Sequence, residues 1–389
     1  MTCVTSADDR RPRLHLDAGG DAPVRTEARE AWLAALDDGW ADPARLHHEG
    51  RRARRLLDGA RASLAADLGV RADEIRLAPT HSAALRAAVL GMSQARRRVG
   101  PAVVVSAVER AAVHAAAAHA ADTTDGVVRT LAVDGVGRVD LLDVSHSLAG
   151  GARLVAVQHA NGEVGTVQPL DEIAASTRPH GVPLLVDAGA SVGHDAVPEV
   201  WDVLAADARD WGAPARLGIL GVRARVRIRM PGPEDPEPWS PGGVDVPTVL
   251  AAAVALRSML SERSEQDARR RALVEHLRAR VAAEVPDVEV VGDPRDRLPH
   301  VVTFSCLYVD GEALLTELDR LGLAVGSGSA CTSAALEPSH VLAAIGVLTH
   351  GNVRIALHRA VTRHDVDRFC DALPGAVQRV RAALGAQGL

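Results

Sequence analysis

Segments typical of strands and of helices alternate along the chain from about residue 30 to about residue 225. The strand-like segments are short and apolar, and they cover 74–79, 102–107, 127–133, 153–160, 183–188 and 217–223. Amphipathic stretches rich in Ala, Leu and Arg lie between them, at 81–91, 109–120, 139–149 and 169–178. This alternation predicts an α/β fold in which helices cover both faces of a mostly parallel sheet. Functional groups in such sheets collect at the carboxyl ends of the strands.

A smaller unit is expected after the Pro/Gly-rich connector at 231–243. Helices are predicted in it at 246–284, near 311–321 and near 363–384, with short strand-like segments between them. A chain of 389 residues is also too long for one ordinary core. We therefore predict a large α/β domain at 14–250 and a smaller α+β domain at 251–389, to which residues 1–13 are added.

Composition and charge argue against nucleic acid and membranes as partners. The formal net charge is −6 and aromatic residues make up 2% of the chain, which suits neither a phosphate backbone nor stacked bases. No stretch approaches the length of a membrane span, and the first residues lack the apolar core of a secretion signal. We therefore expect a cytoplasmic protein.

The four cysteines lie far apart, and none of them forms a pair with metal-ligand spacing. They are Cys3, Cys306, Cys331 and Cys370. This distribution favours free thiols in a reducing compartment over a disulfide framework, and it predicts no metal site.

The sequence contains no lysine, so all 44 residues counted as Lys or Arg are arginine. A composition biased towards alanine and arginine accounts for arginine on the surface. The absence matters most in the stretch 202–222, which reads as a strand end, a polar turn and a second apolar run. The turn carries Asp207, Arg209 and Asp210, and it offers no amine to a carbonyl cofactor.

Seven stretches, taken in order, share their pattern with one enzyme family. They are LHLDAGGDAP, DPARLHHEGRRARRLLDGAR, VQHANGEVGTVQPLDEIA, VDAGASVG, VDVPTVLAAAVAL, VGSGSACTSAALEPSHVL and GNVRIALHR. Together they resemble a cysteine desulfurase of the class V aminotransferase type, over about residues 14 to 385. The resemblance implies the fold type I architecture of enzymes that depend on pyridoxal phosphate, and a protein that works as a dimer.

Four positions match residues that the family's reaction needs. Asp187 matches the aspartate on the pyridinium nitrogen, and Asn161 matches the residue beside the phenolic oxygen of the cofactor. Arg354 matches the arginine for the substrate carboxylate, and Cys331 matches the mobile cysteine that accepts sulfur as a persulfide. Structural roles stay open for each: a capping aspartate, a turn asparagine, an arginine paired with a protein carboxylate, and a buried thiol.

Other positions depart from the family, and most of them are positions that contact the cofactor in the family. The lysine that would bind it covalently falls at Asp210, the phosphate-binding serine at Asp207 and the ring-stacking histidine at Arg110. Arg209 replaces a histidine, Ala190 replaces a glutamine and Ser82 replaces a threonine. Gly243 replaces the threonine that, in the family, contacts the cofactor phosphate bound to the partner subunit. Ser82 still suits an anion at a helix N-terminus. The resemblance thus implies pyridoxal phosphate, whereas these residues predict that no cofactor is bound covalently.

Two arrangements of this changed pocket are open. The first is a buried ion network that pairs the aspartates with the arginines: Asp187, Asp207 and Asp210 with Arg110, Arg209 and Arg354. In the second, Arg110 and Arg209 bind a different small anion.

Three functions follow from these expectations. The first is a desulfurase-like partner, scaffold or persulfide relay in sulfur transfer, which pairs with itself or with an active desulfurase and passes sulfur to an acceptor protein. The second is a transferase or desulfurase that uses pyridoxal or pyridoxamine phosphate without a covalent link. The third is an ordinary cysteine desulfurase, which would release sulfide from cysteine by itself; the missing lysine predicts that it does not.

Overall fold

A computed structural model describes residues 12–214, 216–230, 239–328 and 338–385. Its strands are β1 (Leu14–His15), β2 (Ile75–Ala78), β3 (Ala102–Ser106), β4 (Val127–Leu131), β5 (Ala152–Gln158), β6 (Leu184–Asp187), β7 (Val203–Asp207), β8 (Gly218–Val222), β9 (Val288–Val291), β10 (Val301–Cys306), β11 (Leu323–Ala324) and β12 (Asn352–Ala356). The central sheet has seven strands in the order β2-β8-β7-β6-β5-β3-β4. Within it, β8 runs antiparallel to both neighbours and the other pairs are parallel. The predicted mostly parallel α/β sheet is therefore confirmed.

Helices cover this sheet and continue into the second half of the chain. They are α1 (Thr26–Asp38), α2 (His48–Asp67), α3 (His81–Ala95), α4 (Ala111–Asp122), α5 (Leu141–Leu148), α6 (Leu170–Thr177), α7 (Val246–Glu284), α8 (Gly311–Arg320), α9 (His340–Ile345) and α10 (Arg363–Ala383). Across the part of the chain that the structure describes, none of these helices is both long and apolar enough to cross a bilayer.

The inner strands of the sheet are buried on both faces. Every residue of β3, β5, β6 and β7 is buried, which explains why these segments read as continuous apolar runs without polar alternation. The edge strand β4 differs, because Val127 and Val128 are exposed. Each predicted strand of this sheet is confirmed to within about two residues, an ordinary error for element ends.

A second core surrounds a three-stranded antiparallel sheet with the order β12-β10-β9. Phe304 and Phe369 lie at its centre, with ring centroids 6.5 Å apart. The start of the chain joins this core, since β1 pairs with β11 and the side chains of Leu14 and Leu16 are buried there.

Helix α7 contributes to both cores. Its residues up to Met259 pack in the core of the large sheet, and those from Leu273 onwards pack in the smaller core. The change from one core to the other therefore falls between Met259 and Leu273, later in the same helix than the predicted division at 250/251. Two domains at 14–250 and 251–389 remain a prediction.

We expect Leu277→Ala to lower the free energy of unfolding by about 2–5 kcal/mol, because the leucine is fully buried in the smaller core and the shorter side chain leaves a cavity. Urea unfolding followed by circular dichroism measures this. Glu265→Ala on an exposed face of the same helix is the control and should change stability little. Equal effects of the two substitutions would contradict the packing described.

Candidate functional site

The candidate site lies at the carboxyl ends of β6 and β7. Asp187 is the last residue of β6 and Asp207 is the last residue of β7. Because the two strands are parallel neighbours, both carboxylates lie at the same end of the strands. Asp210 follows in the turn after β7, which is closed by the bond from the Asp210 amide to the Asp207 carbonyl at 3.2 Å. The three side chains are buried. The sequence-predicted aspartates therefore lie in one region.

Both oxygens of the Asp187 carboxylate are engaged. His81 Nε2 lies 2.8 Å from Oδ1, and Arg110 Nε donates to Oδ2 at 2.9 Å. The backbone amide of Gly189 also donates to Oδ1, at 2.8 Å. Burial alone would raise the pKa of Asp187, but the charges of His81 and Arg110 and these hydrogen bonds hold that pKa well below its usual range.

Arg110 approaches Asp187 from the position just before α4, where it is the N-cap residue. Its guanidinium lies beside Gly162, since a Cβ built on that glycine would be 3.6 Å from Arg110 Nη2. Burial opposes its charge, but the carboxylates of Asp187, Asp207 and Asp210 raise the pKa of Arg110 above its usual value. Arg110 is therefore held by the aspartates of the site.

Asp207 and Asp210 have different partners, and Asp210 Oδ2 has no hydrogen-bond partner within the described residues. The Asp207 carboxylate accepts the Arg209 amide at 3.1 Å, while the Arg209 side-chain Nε stays 3.8 Å away. Burial, with a contribution from the Asp210 charge, raises the pKa of Asp207. Asp210 accepts the Gly20 amide at 3.1 Å and lies 3.0 Å from His194 Nε2.

The ion network differs from the predicted one in Arg354, which donates to Asp17 at 2.8 Å. Arg209 forms the predicted ion pair with Asp207, at 3.8 Å, and a second, closer one with Asp21. Neither side chain forms an ion pair with Asp187 or Asp210 among the residues that the structure describes. Arg354 thus has a protein carboxylate as its partner, which was one of its two expected roles.

The side chain of Asn161 is used within its own turn. Its Oδ1 accepts the amides of Glu163 and Val164 at 2.8 and 2.9 Å, and its Nδ2 donates to the Val108 carbonyl at 3.2 Å. This is the hydrogen bonding of a turn asparagine. It matches the structural role that the sequence left open for this residue.

The remaining predicted positions contribute little to the cluster. Ser82 is exposed in the first turn of α3, where the side chain of Thr80 caps the helix by accepting the Ala83 amide at 3.0 Å. Gly243 is exposed and has a φ of +97°, a conformation that strains any residue with a Cβ. Cys331 lies outside the described residues, as does Cys3.

The structure adds His81 and Glu109, which the sequence did not assign to the site. Glu109 is buried, and its Oε1 accepts the Gln158 amide, whereas its Oε2 has no partner within the described residues. Burial, and to a lesser extent the Asp187 charge, raises the pKa of Glu109 to about 8. The one sequence signal for Glu109 is its place beside Arg110, after a buried strand.

A second group of polar side chains could be considered for a metal ion. His194, Asp210 and His300 are buried, and one ligand atom of each lies within 4.8 Å of the others. However, Arg270 Nη1 lies 2.9 Å from His194 Nδ1, and an arginine can only donate. A neutral His194 therefore carries its proton on Nε2, which faces Asp210, and that nitrogen has no lone pair for a metal. The group is better described as a hydrogen-bonded ion cluster.

The two described cysteines are unsuited to nucleophilic chemistry. Cys306 and Cys370 are buried in the smaller core. Burial raises the pKa of Cys306 to about 11 and that of Cys370 to about 12, so both remain protonated near neutral pH.

Comparisons with known proteins give a consistent answer. The aminotransferase class-V family matches residues 15–369. The chain is 33% identical over 383 residues to a cysteine desulfurase of Trichormus azollae, covering 95% of this chain and 94% of that protein. It is 30% identical over 376 residues to the cysteine desulfurase IscS of Dictyoglomus turgidum, with 95% of each chain covered.

Solved structures agree on the architecture. A NifS-like protein superposes with a TM-score of 0.86 at 21% identity, covering 94% of this chain and all of that one. DndA from Streptomyces lividans superposes with a TM-score of 0.73 at 28% identity, covering 86% of this chain and 96% of that one. These matches confirm the predicted fold type I architecture.

We expect the native chain to become less stable as the pH rises, and we expect the substitution Glu109→Gln to abolish this pH dependence. A carboxyl whose pKa is raised on folding binds its proton more tightly in the folded state, so stability is retained below about pH 4.5 and falls as pH rises towards 8. The loss should be on the order of 3–5 kcal/mol by pH 9. Urea unfolding at several pH values measures it, with Glu265→Ala as the control. An unchanged slope in Glu109→Gln would contradict the assignment.

Proposed function

Since the chain belongs to the class-V aminotransferase family and, within it, to the cysteine desulfurases, we propose that it works in sulfur transfer without pyridoxal phosphate. It acts as a partner, scaffold or persulfide relay and not as a catalyst that releases sulfur from cysteine. The observation that carries this proposal is the engagement of both Asp187 oxygens by His81 and Arg110.

The residues of the site do not fit the cofactor. A pyridinium nitrogen would need an oxygen of Asp187, and both are already bound to cationic or hydrogen-bonding groups of the chain. Arg110 also lies beside Gly162, in the region that the cofactor ring would occupy by resemblance to the family. A pyridinium nitrogen would therefore compete with the half-buried Arg110 guanidinium for the buried Asp187 carboxylate, and a buried carboxylate that loses its cationic partner is costly.

The turn after β7 adds to the mismatch. The chain has no lysine to form an imine, and Asp210 stands at the matching position. A phosphate within about 4 Å of an ionised Asp207 would be repelled by roughly 4 kcal/mol at an effective dielectric constant near 20. That repulsion alone corresponds to about a thousandfold loss of affinity.

Cys331 supplies the chemistry of a relay under this proposal. Its thiolate attacks the outer sulfur of a persulfide on an active cysteine desulfurase, the sulfur–sulfur bond of the donor breaks, and the donor cysteine leaves as a thiolate. Cys331 then carries the persulfide, with no net oxidation or reduction. Burial and raised pKa values disfavour the two alternative acceptors Cys306 and Cys370.

The same proposal includes the partner. Cysteine desulfurases generally work as dimers and pass sulfur to acceptor proteins, so this chain pairs with itself or with an active family member. Completion of a partner subunit's phosphate site is disfavoured, because Gly243 has replaced the threonine and its φ of +97° is unfavourable for that residue.

We expect the purified chain to retain no cofactor after incubation with pyridoxal phosphate and desalting, and to release no sulfide from cysteine. Asp210→Lys alone should not restore an imine, because Arg110 still occupies Asp187 and Asp207 still repels the phosphate. A combined variant should gain cofactor absorbance: Arg110→His, Asp207→Ser, Arg209→His and Asp210→Lys. Absorbance spectroscopy and a sulfide assay measure these outcomes.

An active cysteine desulfurase is the positive control for both assays. The proposal fails if the native chain holds pyridoxal or pyridoxamine phosphate after desalting, or if it releases sulfide by itself. The first of these results would favour non-covalent use of the cofactor.

We expect Cys331→Ser to abolish labelling of this chain by sulfur from an active cysteine desulfurase supplied with cysteine. Persulfide-selective alkylation followed by peptide mass spectrometry should locate the transferred sulfur on Cys331. Cys3→Ser is the matched control and should leave the label in place. A label that stays at full level in Cys331→Ser would exclude the relay and leave the partner or scaffold role.

A further inference from the structure

A cavity of about 540 Å³ lies at the amino ends of β6 and β7, the ends opposite to the aspartates. Its lining includes Pro183 and Asp202, which precede β6 and β7, and Arg225, which follows β8. Because four residue steps separate Pro183 in the cavity lining from Asp187 at the end of β6, the two sites are roughly 13 Å apart along the strand. The volume falls within the range of small-molecule binding sites. The cavity is therefore distinct from the cluster of aspartates.

The charged lining is mostly positive. It consists of four arginines and one carboxylate: Arg96, Arg178, Arg225, Arg227 and Asp202. Asp202 accepts from Arg225 Nε at 2.9 Å, so these two charges offset each other. Arg178 and Arg227 are exposed, and neither has an ion-pair partner among the described residues. The cavity thus keeps an excess of positive charge.

Arg96 is the most enclosed of these cations. Its Nη2 donates to the Gly181 carbonyl at 2.9 Å, while its buried Nε has no partner within the described part of the chain. Among the described residues Arg96 forms no ion pair, although the Asp202 carboxylate of the same cavity contributes to its electrostatic environment. A guanidinium with a free donor is suited to an anion.

The arginines after β8 are placed by a turn and the short stretch that follows it. The Val226 amide donates to the Arg223 carbonyl at 2.8 Å and closes the turn. Val226 and Ile228 then pack against the core that contains α3, while the side chains of Arg227 and Arg229 are exposed. The carboxyl ends of α3 and α6 favour arginine at Arg96 and Arg178 without any ligand, but they do not explain Arg227.

Four valines supply an apolar part of the lining. Val99, Val182, Val200 and Val226 line the same cavity, and Val99 is 58% exposed. An anion that also carries an apolar ring would cover these side chains while its charge meets the arginines. Inorganic ions would leave the apolar part of the lining in water.

We propose that this cavity binds a nucleotide-sized organic phosphate, with its phosphate groups on Arg96, Arg178 and Arg227 and its apolar ring against the valines. The arginine fork matches phosphate oxygens in pairs, and the apolar area accommodates a planar ring. The site is independent of the proposed function, because no residue of the aspartate cluster lines it.

Isothermal titration calorimetry on the full chain tests this with ADP, pyrophosphate and adenosine as probes. ADP should bind, pyrophosphate should bind more weakly, and adenosine should not bind. Arg178→Ala and Arg227→Ala should each raise the Kd for ADP about tenfold, equivalent to about 1.4 kcal/mol. Both positions are exposed, and thermal melts establish that the variants remain folded.

The matched control is Arg55→Ala, which removes an exposed arginine of α2 outside the cavity and should leave the Kd unchanged. Three results would overturn the proposal: no binding of ADP by the native chain, equal loss in the control, or binding of adenosine. Tighter binding of an RNA oligonucleotide than of ADP would also overturn it, because a small-molecule site does not require a polymer. None of these results bears on retention of pyridoxal phosphate.

Discussion

The contact on which the candidate site depends is that of the buried Asp187 carboxylate with His81 and Arg110. A carboxylate at the end of a fully buried strand is costly unless it is paired and hydrogen-bonded. Here the compensation comes from two helices, because His81 begins α3 and Arg110 immediately precedes α4. The contact therefore fixes the starts of two packed helices against one strand end. Gly189 belongs to the same arrangement, since a Cβ there would lie 2.5 Å from His81 Nε2.

This arrangement also explains the different environments of the three aspartates. Asp187 has two cationic or hydrogen-bonding neighbours and a depressed pKa, whereas Asp207 has a backbone amide and a raised pKa. Asp210 lies next to His194, whose tautomer is set by Arg270 on the other side of the ring. Three like charges thus share one region because each has its own compensation, and the chain alone supplies it.

Much of the fold could be predicted from the sequence, because the inner strands are continuous apolar runs and the helices between them are amphipathic. The positions of Asp187 and Asp207 followed from the rule that functional groups of a parallel sheet collect at the carboxyl ends of its strands. The partners could not be predicted in the same way. Arg354 pairs with Asp17 across 337 positions and His81 meets Asp187 across 106, and local patterns carry no information about such contacts.

Helix α7 has a consequence for motion. It runs for 39 residues from one core into the other, and its sequence has no glycine and no proline beyond its first turn. Sharp bends in helices need such residues or an interrupted hydrogen-bond ladder. A hinge between the two cores at this helix would therefore have to break several backbone hydrogen bonds at once. We expect the distance between the two cores to be set by this helix and to change little when a ligand binds.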